Sequence, residues 1–194
     1  MTQQILVLGP TKSGKSEWAE RLACQSSRPV TYVATSRHDP QDAEWQARIV
    51  QHRQRRPQGW QTRETPVELV ATLSDAAASE CWLVDSLGTW VANQLDQSEA
   101  DWQRQTQQLL TTIADFPGLL ILVAEETGWG VVPAYASGRL FRDRLGSLTR
   151  QIGAIVEVSY LVVAGFALDL QRLGIAVESI NDPVETDTYP PNHV

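Results

Sequence analysis

Gly9-Pro10-Thr11-Lys12-Ser13-Gly14-Lys15-Ser16 is the stretch on which the reading of this chain turns. It has the form G-x-x-x-x-G-K-S and contains both lysines of the sequence; every other basic side chain, histidine aside, is an arginine. The apolar run Ile5-Leu6-Val7-Leu8 precedes it, and the helix-like stretch Ser16-Glu17-Trp18-Ala19-Glu20-Arg21-Leu22 follows. A strand, a glycine loop and a helix in that order are the context a phosphate-binding loop needs. Glycines at 9 and 14 let main-chain N–H groups close around phosphate oxygens, and the helix start adds its positive end. Lys15 supplies a charge for the outer phosphates, and the Ser16 hydroxyl suits Mg²⁺. A chance match in a Gly/Ser-rich turn is the bland alternative, and the flanking pattern weighs against it.

Outward from this loop, short apolar runs alternate with amphipathic ones. Strands are expected at Ile5–Leu8, Val30–Ala34, Cys81–Val84, Leu119–Ala124 and Val158–Val163, with a further short one at Gln61–Arg63. Helices are expected at Lys15–Gln25, Asp42–Arg55, Val67–Ala78, Thr89–Leu95, Asp101–Ala114 and Ala136–Ile155. That alternation implies an α/β fold, a mostly parallel sheet with helices on both faces. Ligands then bind at the carboxyl ends of the strands, where the loop, Thr35-Ser36, Asp85 and Glu125-Glu126 all fall. Pro57-Gln58-Gly59 reads as a turn. Residues 1–180 are expected to form one nucleotide-binding domain, and 181–194 a polar tail with Pro183, Pro190 and Pro191.

The 194 residues suffice for one domain with a sizeable core. A net charge of −7 offers no basic stripe for a nucleic-acid backbone or an anionic membrane surface. Any nucleotide must be held by local arrangement. Cys24 and Cys81 stand alone, without metal spacing, and read as buried thiols in a reducing compartment. With no leader pattern and no apolar run of spanning length, a soluble cytoplasmic protein without a membrane span is expected.

Asp85 closes the run Cys81-Trp82-Leu83-Val84, the position from which an acidic residue holds Mg²⁺ beside a phosphate loop. Its bland alternative is a cap on the following helix. Asp85-Ser86-Leu87-Gly88 also matches the D-x-x-G of GTPase switches, but no N-K-x-D accompanies it, which argues against a regulatory GTPase. Glu44, Arg48 and His52 recur at helical spacing on one face. A neutral imidazole at 52 is able to attack phosphorus, with Arg48, Arg53, Arg55 and Arg56 nearby to steady the charge. A solvated polar face carrying an incidental histidine explains the same pattern. Glu64 follows a short strand. Glu125-Glu126 precedes the glycine loop Thr127-Gly128-Trp129-Gly130 and fits a metal ligand, a base or a plain salt-bridging pair.

Taken together, these motifs form an ordered set. Gly9–Ser16 is followed by Tyr32-Val33-Ala34-Thr35-Ser36, Asp42-x-Glu44-x-x-x-Arg48-Ile49-x-x-His52, Arg56-Pro57, Trp60 and Thr62-x-Glu64. Leu83-Val84-Asp85-Ser86-Leu87 comes next with Trp90 and Asn93, then Gly128-x-Gly130-Val131-Val132-Pro133, Phe141-Arg142-Asp143-x-x-Gly146 and Leu161-Val162-Val163-Ala164-Gly165. Over roughly residues 4 to 165 the chain resembles the bifunctional adenosylcobinamide kinase/adenosylcobinamide-phosphate guanylyltransferases of cobalamin biosynthesis. The resemblance implies a P-loop, RecA-like NTPase fold and a propeller-like homotrimer. It implies phosphorylation of adenosylcobinamide by ATP or GTP, then transfer of GMP from GTP to adenosylcobinamide phosphate. Adenosylcobinamide-GDP and pyrophosphate are the products, and the transfer runs through a guanylyl-histidine at His52. By the same resemblance the nucleotide contacts are Gly9, Pro10, Thr11, Lys12, Ser13, Gly14, Lys15, Ser16, Ala34, Thr35, Ser36, Arg53, Gln54, Arg55, Arg56, Glu64 and Asp85, with Ser16 and Asp85 on Mg²⁺. The chain departs from the family pattern at Glu125-Glu126, usually Asn-Glu, at Thr149-Arg150, usually Asn-Gln, and at Pro10-Thr11, commonly a basic or small pair. Two other functions fit the loop alone: a small-metabolite kinase without a covalent histidine, and a nucleotide-binding regulator.

Overall fold

The computed structural model describes residues 3–37 and 56–177. Seven strands form one sheet: β1 (Gln3–Gly9), β2 (Val30–Ala34), β3 (Gln61–Glu64), β4 (Cys81–Asp85), β5 (Leu119–Glu125), β6 (Val158–Val163) and β7 (Phe166–Asp169). Their order across the sheet is β3-β2-β4-β5-β1-β6-β7. Every neighbouring pair is parallel except β6 with β7. The helices are α1 (Lys15–Gln25), α2 (Leu69–Leu73), α3 (Leu87–Ala92), α4 (Glu99–Ala114), α5 (Ala136–Gly153) and α6 (Leu170–Leu173).

Alternate residues of a strand point to opposite faces, and both faces are covered here. Leu6, Val33, Trp82, Val84, Leu120, Leu122 and Ala124 pack with the inner stripes of α2, α3, α4 and α5. Ile5, Val7, Tyr32, Leu83, Ile121 and Val123 pack with Ala19 and Ala23 of α1. The central strands therefore read as unbroken apolar runs, as their sequence suggested. Arg144 of α5, only 5% exposed, locks the first of these layers. Its guanidinium donates to the Gln94 and Gln97 carbonyls and lies 5.0 Å from the Trp102 ring centroid.

Several boundaries differ from expectation for local reasons. The helix expected over Val67–Ala78 is α2 alone: after Leu73 the Asp75 N–H bonds back to Thr72 and the Ala76 N–H to Leu73, so three-residue spacing replaces the four-residue one, while the Val70 carbonyl accepts from both the N–H and the hydroxyl of Ser74. Bonds of that tighter kind close the last turn of a helix. α3 begins two residues before the expected Thr89, since Ser86 caps it by accepting from the Thr89 N–H. Asp85 is therefore not the cap. β7 had no sequence signal: it is a four-residue edge strand, joined to β6 through Ala164 and Gly165, both at positive φ. That pair of angles makes a tight hairpin turn. Cys81 is buried as expected, but Cys24 is exposed, since α1 turns Ala19 and Ala23 to the sheet instead. Burial pushes the Cys81 thiol up to about 11. The expected helix Asp42–Arg55 and the tail 181–194 lie outside the described residues.

Trp90 ties α3 to the segment before α2: it is fully buried, donates from Nε1 to the Val67 carbonyl at 2.8 Å, and meets Trp102 at 5.7 Å. Trp90→Phe keeps most apolar contact but removes the indole donor, leaving the half-buried Val67 carbonyl with the Leu69 N–H. A loss of about 0.5–1.5 kcal/mol in unfolding free energy is expected from denaturant titration; an unchanged midpoint would contradict this packing.

Candidate active site

Parallel register brings the expected residues to one edge of the sheet. Gly9 stands opposite Glu125, and Ala34 stands between Glu64 on one side and Asp85 on the other. β1 thus delivers the glycine loop into a row of strand ends carrying carboxylates.

Within the loop, Gly9 admits no side chain. A Cβ there would lie 2.5 Å from both the Val162 carbonyl oxygen and Ser13 Oγ. Gly14 sits at φ +96 and caps α1 without any side-chain hydrogen bond. The first turn of α1 thus keeps main-chain N–H donors that no side-chain cap takes. The loop is braced by Ser13 N–H to the Pro10 carbonyl, by Gly165 N–H to the Ser13 carbonyl, and by Glu126 N–H to the Gly9 carbonyl. Lys15 Nζ folds back to the Pro10 carbonyl at 3.4 Å, a long contact that a phosphate would replace with little cost. Ser13 Oγ is buried with no hydrogen-bond partner. Ser16, half-buried, opens α1 beside Lys15; Thr11 and Lys12 are exposed. This is an anion cradle of main-chain amides and one ammonium.

The neighbouring strand ends are cross-braced. Tyr32 donates its hydroxyl to Asp85 Oδ2 at 3.0 Å. The Thr35 hydroxyl donates to the Ser86 carbonyl at 2.6 Å and accepts from the Ser86 N–H at 2.9 Å. Asn93 Nδ2 donates to the carbonyls of Thr35 and Pro66. Thr35 is fully buried, so its side chain serves this bracing, while Ala34 and Ser36 are half-buried. Arg56 lays its guanidinium 3.2 Å from the Tyr32 ring centroid. Glu64 ends β3 and is exposed. His52, Arg53, Gln54 and Arg55 lie outside the described residues. Sequence reasoning gave Tyr32, Ser86 and Asn93 no physical role. Capping by serine was a readable signal for Ser86; the other two depend on strand register.

Ser16 and Asp85 offer hard oxygen donors. Among the described residues no group of three or more His, Cys, Asp or Glu could hold an ion by itself. A sparse oxygen set of this kind suits Mg²⁺, which takes one or two protein oxygens and completes its shell with phosphate and water. Gly88 does not form a switch loop; it lies in α3, and a Cβ there would overlap the Glu125 carboxylate.

Burial holds the Glu125 carboxyl above the ordinary value of 4.5, against the pull of the Ser86 hydrogen bond and Lys15, with Asp85 pushing the same way as burial. The folded chain therefore keeps this proton longer than the unfolded chain does. Its contribution to stability falls as pH rises from about 4.5 towards neutral. Glu125→Gln should flatten the decline of Tm over that window; thermal scans across pH with equal slopes for both proteins would contradict the assignment.

The sequence model of the cobinamide kinase / cobinamide phosphate guanyltransferase family matches residues 5–170. The bifunctional adenosylcobalamin biosynthesis protein CobP of Pseudomonas aeruginosa is 42% identical over 170 residues, covering 86% of this chain and 96% of that protein. CobU of Escherichia coli, described by the same bifunctional name, is 35% identical over 182 residues, covering 86% and 99%. Among solved structures, a prototypical ATPase of a bacterial type III secretion system superposes with a TM-score of 0.53 at 9% identity, over 90% of this chain and 59% of that one. That likeness concerns the fold alone and agrees with a P-loop NTPase sheet. No helix among the described residues is long and apolar enough to cross a membrane. The chain is an enzyme of the cobinamide kinase / cobinamide phosphate guanyltransferase family.

Proposed function

We propose that this enzyme phosphorylates adenosylcobinamide with ATP or GTP and then transfers GMP from GTP to adenosylcobinamide phosphate, releasing pyrophosphate. The family match across residues 5–170 carries this reading. The glycine loop and its neighbours at the sheet edge give it a physical basis.

In the kinase step the uncapped start of α1 and the loop N–H groups hold the β- and γ-phosphates. Lys15 leaves the Pro10 carbonyl for a phosphate oxygen, and Ser13 Oγ gains an acceptor. The acceptor hydroxyl attacks the γ-phosphorus, the bond to the β-phosphate breaks, and the hydroxyl proton passes to a base in the site. Positioning and charge stabilisation supply most of the acceleration in such transfers. Ser16 and Asp85 would hold Mg²⁺, which supplies positive charge against the polyphosphate.

In the nucleotidyl step a neutral His52 imidazole attacks the α-phosphorus of GTP. A P–N bond forms and the P–O bond to pyrophosphate breaks. An oxygen of adenosylcobinamide phosphate then attacks the same phosphorus and frees the imidazole. Two easier displacements replace one difficult one. Arg53, Gln54, Arg55 and Arg56, with Ala34, Thr35, Ser36 and Glu64, complete the nucleotide contacts in this proposal, Thr35 through its main chain. The remaining loop residues Gly9, Pro10, Thr11, Lys12 and Gly14 shape the phosphate cradle. The enzyme works as a cytoplasmic homotrimer, with residues 1–180 as its catalytic domain.

GTP labelled at the α-phosphorus should attach covalently to the protein through an acid-labile, base-stable bond, and His52→Ala should abolish the label. Label retained in that variant, or active protein that never acquires label, would count against the histidine intermediate and favour a direct-transfer kinase. Lys15→Ala should weaken GTP binding by about 1.5–3 kcal/mol in calorimetric titration, the worth of a charge-assisted contact. Unchanged affinity would refute the cradle.

A further inference from the structure

Tyr32 occupies a position where a plain apolar residue would satisfy packing. It lies on β2 between Thr62 of β3 and Leu83 of β4, is 3% exposed, and packs with the apolar layer under α1. A buried phenol requires a hydrogen-bond partner. The partner here is Asp85, two residues further along β4 than the residue Tyr32 faces, at the mouth of the sheet.

We infer that Tyr32 is the positioning residue of the Asp85 carboxylate, fixing the angle at which Asp85 meets Mg²⁺ beside the glycine loop. This rests on the reading of Asp85 as a metal carboxylate.

Two further observations support it. First, the Asp85–Ser86 unit is gripped twice, once by the Tyr32 hydroxyl on the Asp85 carboxylate and once by Thr35, the residue after β2, on both polar groups of the Ser86 backbone. The Asp85 side chain and the backbone of the next residue are thus fixed from one neighbouring chain segment. Second, Arg56 stacks on the Tyr32 ring at 3.2 Å and restricts its motion from the other side. Hydrogen bonds behind a metal ligand orient it, and their loss commonly weakens metal binding about 10- to 100-fold.

Tyr32→Phe keeps the ring, its burial and the face on which Arg56 stacks, and deletes only the donor. The probe is a fluorescent GTP analogue, titrated first in EDTA and then over a range of Mg²⁺ concentrations. The inference expects Tyr32→Phe to bind the analogue in EDTA as the unaltered enzyme does. It also expects the Mg²⁺ concentration for half-maximal tightening to rise roughly tenfold or more. Equal Mg²⁺ dependence in the two proteins overturns the inference, as does an equal loss with and without Mg²⁺, which marks a general packing role. Asp85→Asn is run alongside. If it leaves the Mg²⁺ dependence unmoved, the reading of Asp85 itself fails; if it abolishes the Mg²⁺ effect while Tyr32→Phe changes nothing, only the positioning role fails.

Discussion

At Gly9 the main chain of β1 passes so close to β6 that even one methyl group would stand 2.5 Å from the Val162 carbonyl oxygen. A Cβ never tolerates that distance to backbone. The loop leaves the sheet tightly because this residue has no side chain, and everything downstream depends on that exit. Only with it does the chain double back to start α1 at Lys15, with uncapped amides gathered at the strand ends. Gly165 N–H then anchors the Ser13 carbonyl from the β6–β7 hairpin, so the sheet edge and the loop hold one another.

Around this cradle the carboxylates have different environments and so different tasks. Asp85 receives a phenol hydroxyl and takes part in a braced strand end. Glu125 is packed against Gly88, with one oxygen buried and unpartnered. Burial outweighs the Ser86 hydrogen bond at Glu125 and favours its neutral acid. Two acidic groups at one sheet edge are thus held differently, Asp85 by a phenol donor from β2 and Glu125 by packing against Gly88. Arg56 stacks on Tyr32 at this edge. The bracing of Ser86 by Thr35 and of Thr35 by Asn93 shows how much of the site is held by polar groups that need touch no substrate.

The parts legible in the sequence were those whose chemistry demands a residue type at a spacing. The glycine loop, the apolar strands and the acidic strand end at Asp85 are of this kind. Long, strongly periodic helices such as α4 and α5 were readable too, since their apolar stripes repeat over several turns. What escaped depends on neighbours distant in sequence. The Tyr32–Asp85 pair spans 53 residues and exists because β2 and β4 pair in one register. The short β7 is an edge strand of four residues, too brief for alternation to stand out. α2 ended early where the Asp75 and Ala76 N–H groups bond three residues back. The family motifs supplied what local physics could not, a reason to set His52 apart from an ordinary polar helix face.

We propose that the cradle at Gly9–Ser16 serves transfer of GMP to a corrinoid phosphate and not simple hydrolysis of GTP. Mass spectrometry of the full-length enzyme's products, formed from GTP, Mg²⁺ and adenosylcobinamide phosphate, tests it directly. Transfer requires adenosylcobinamide-GDP and pyrophosphate in equal amounts. Consumption of GTP to GDP and inorganic phosphate, with the corrinoid unchanged, would contradict it.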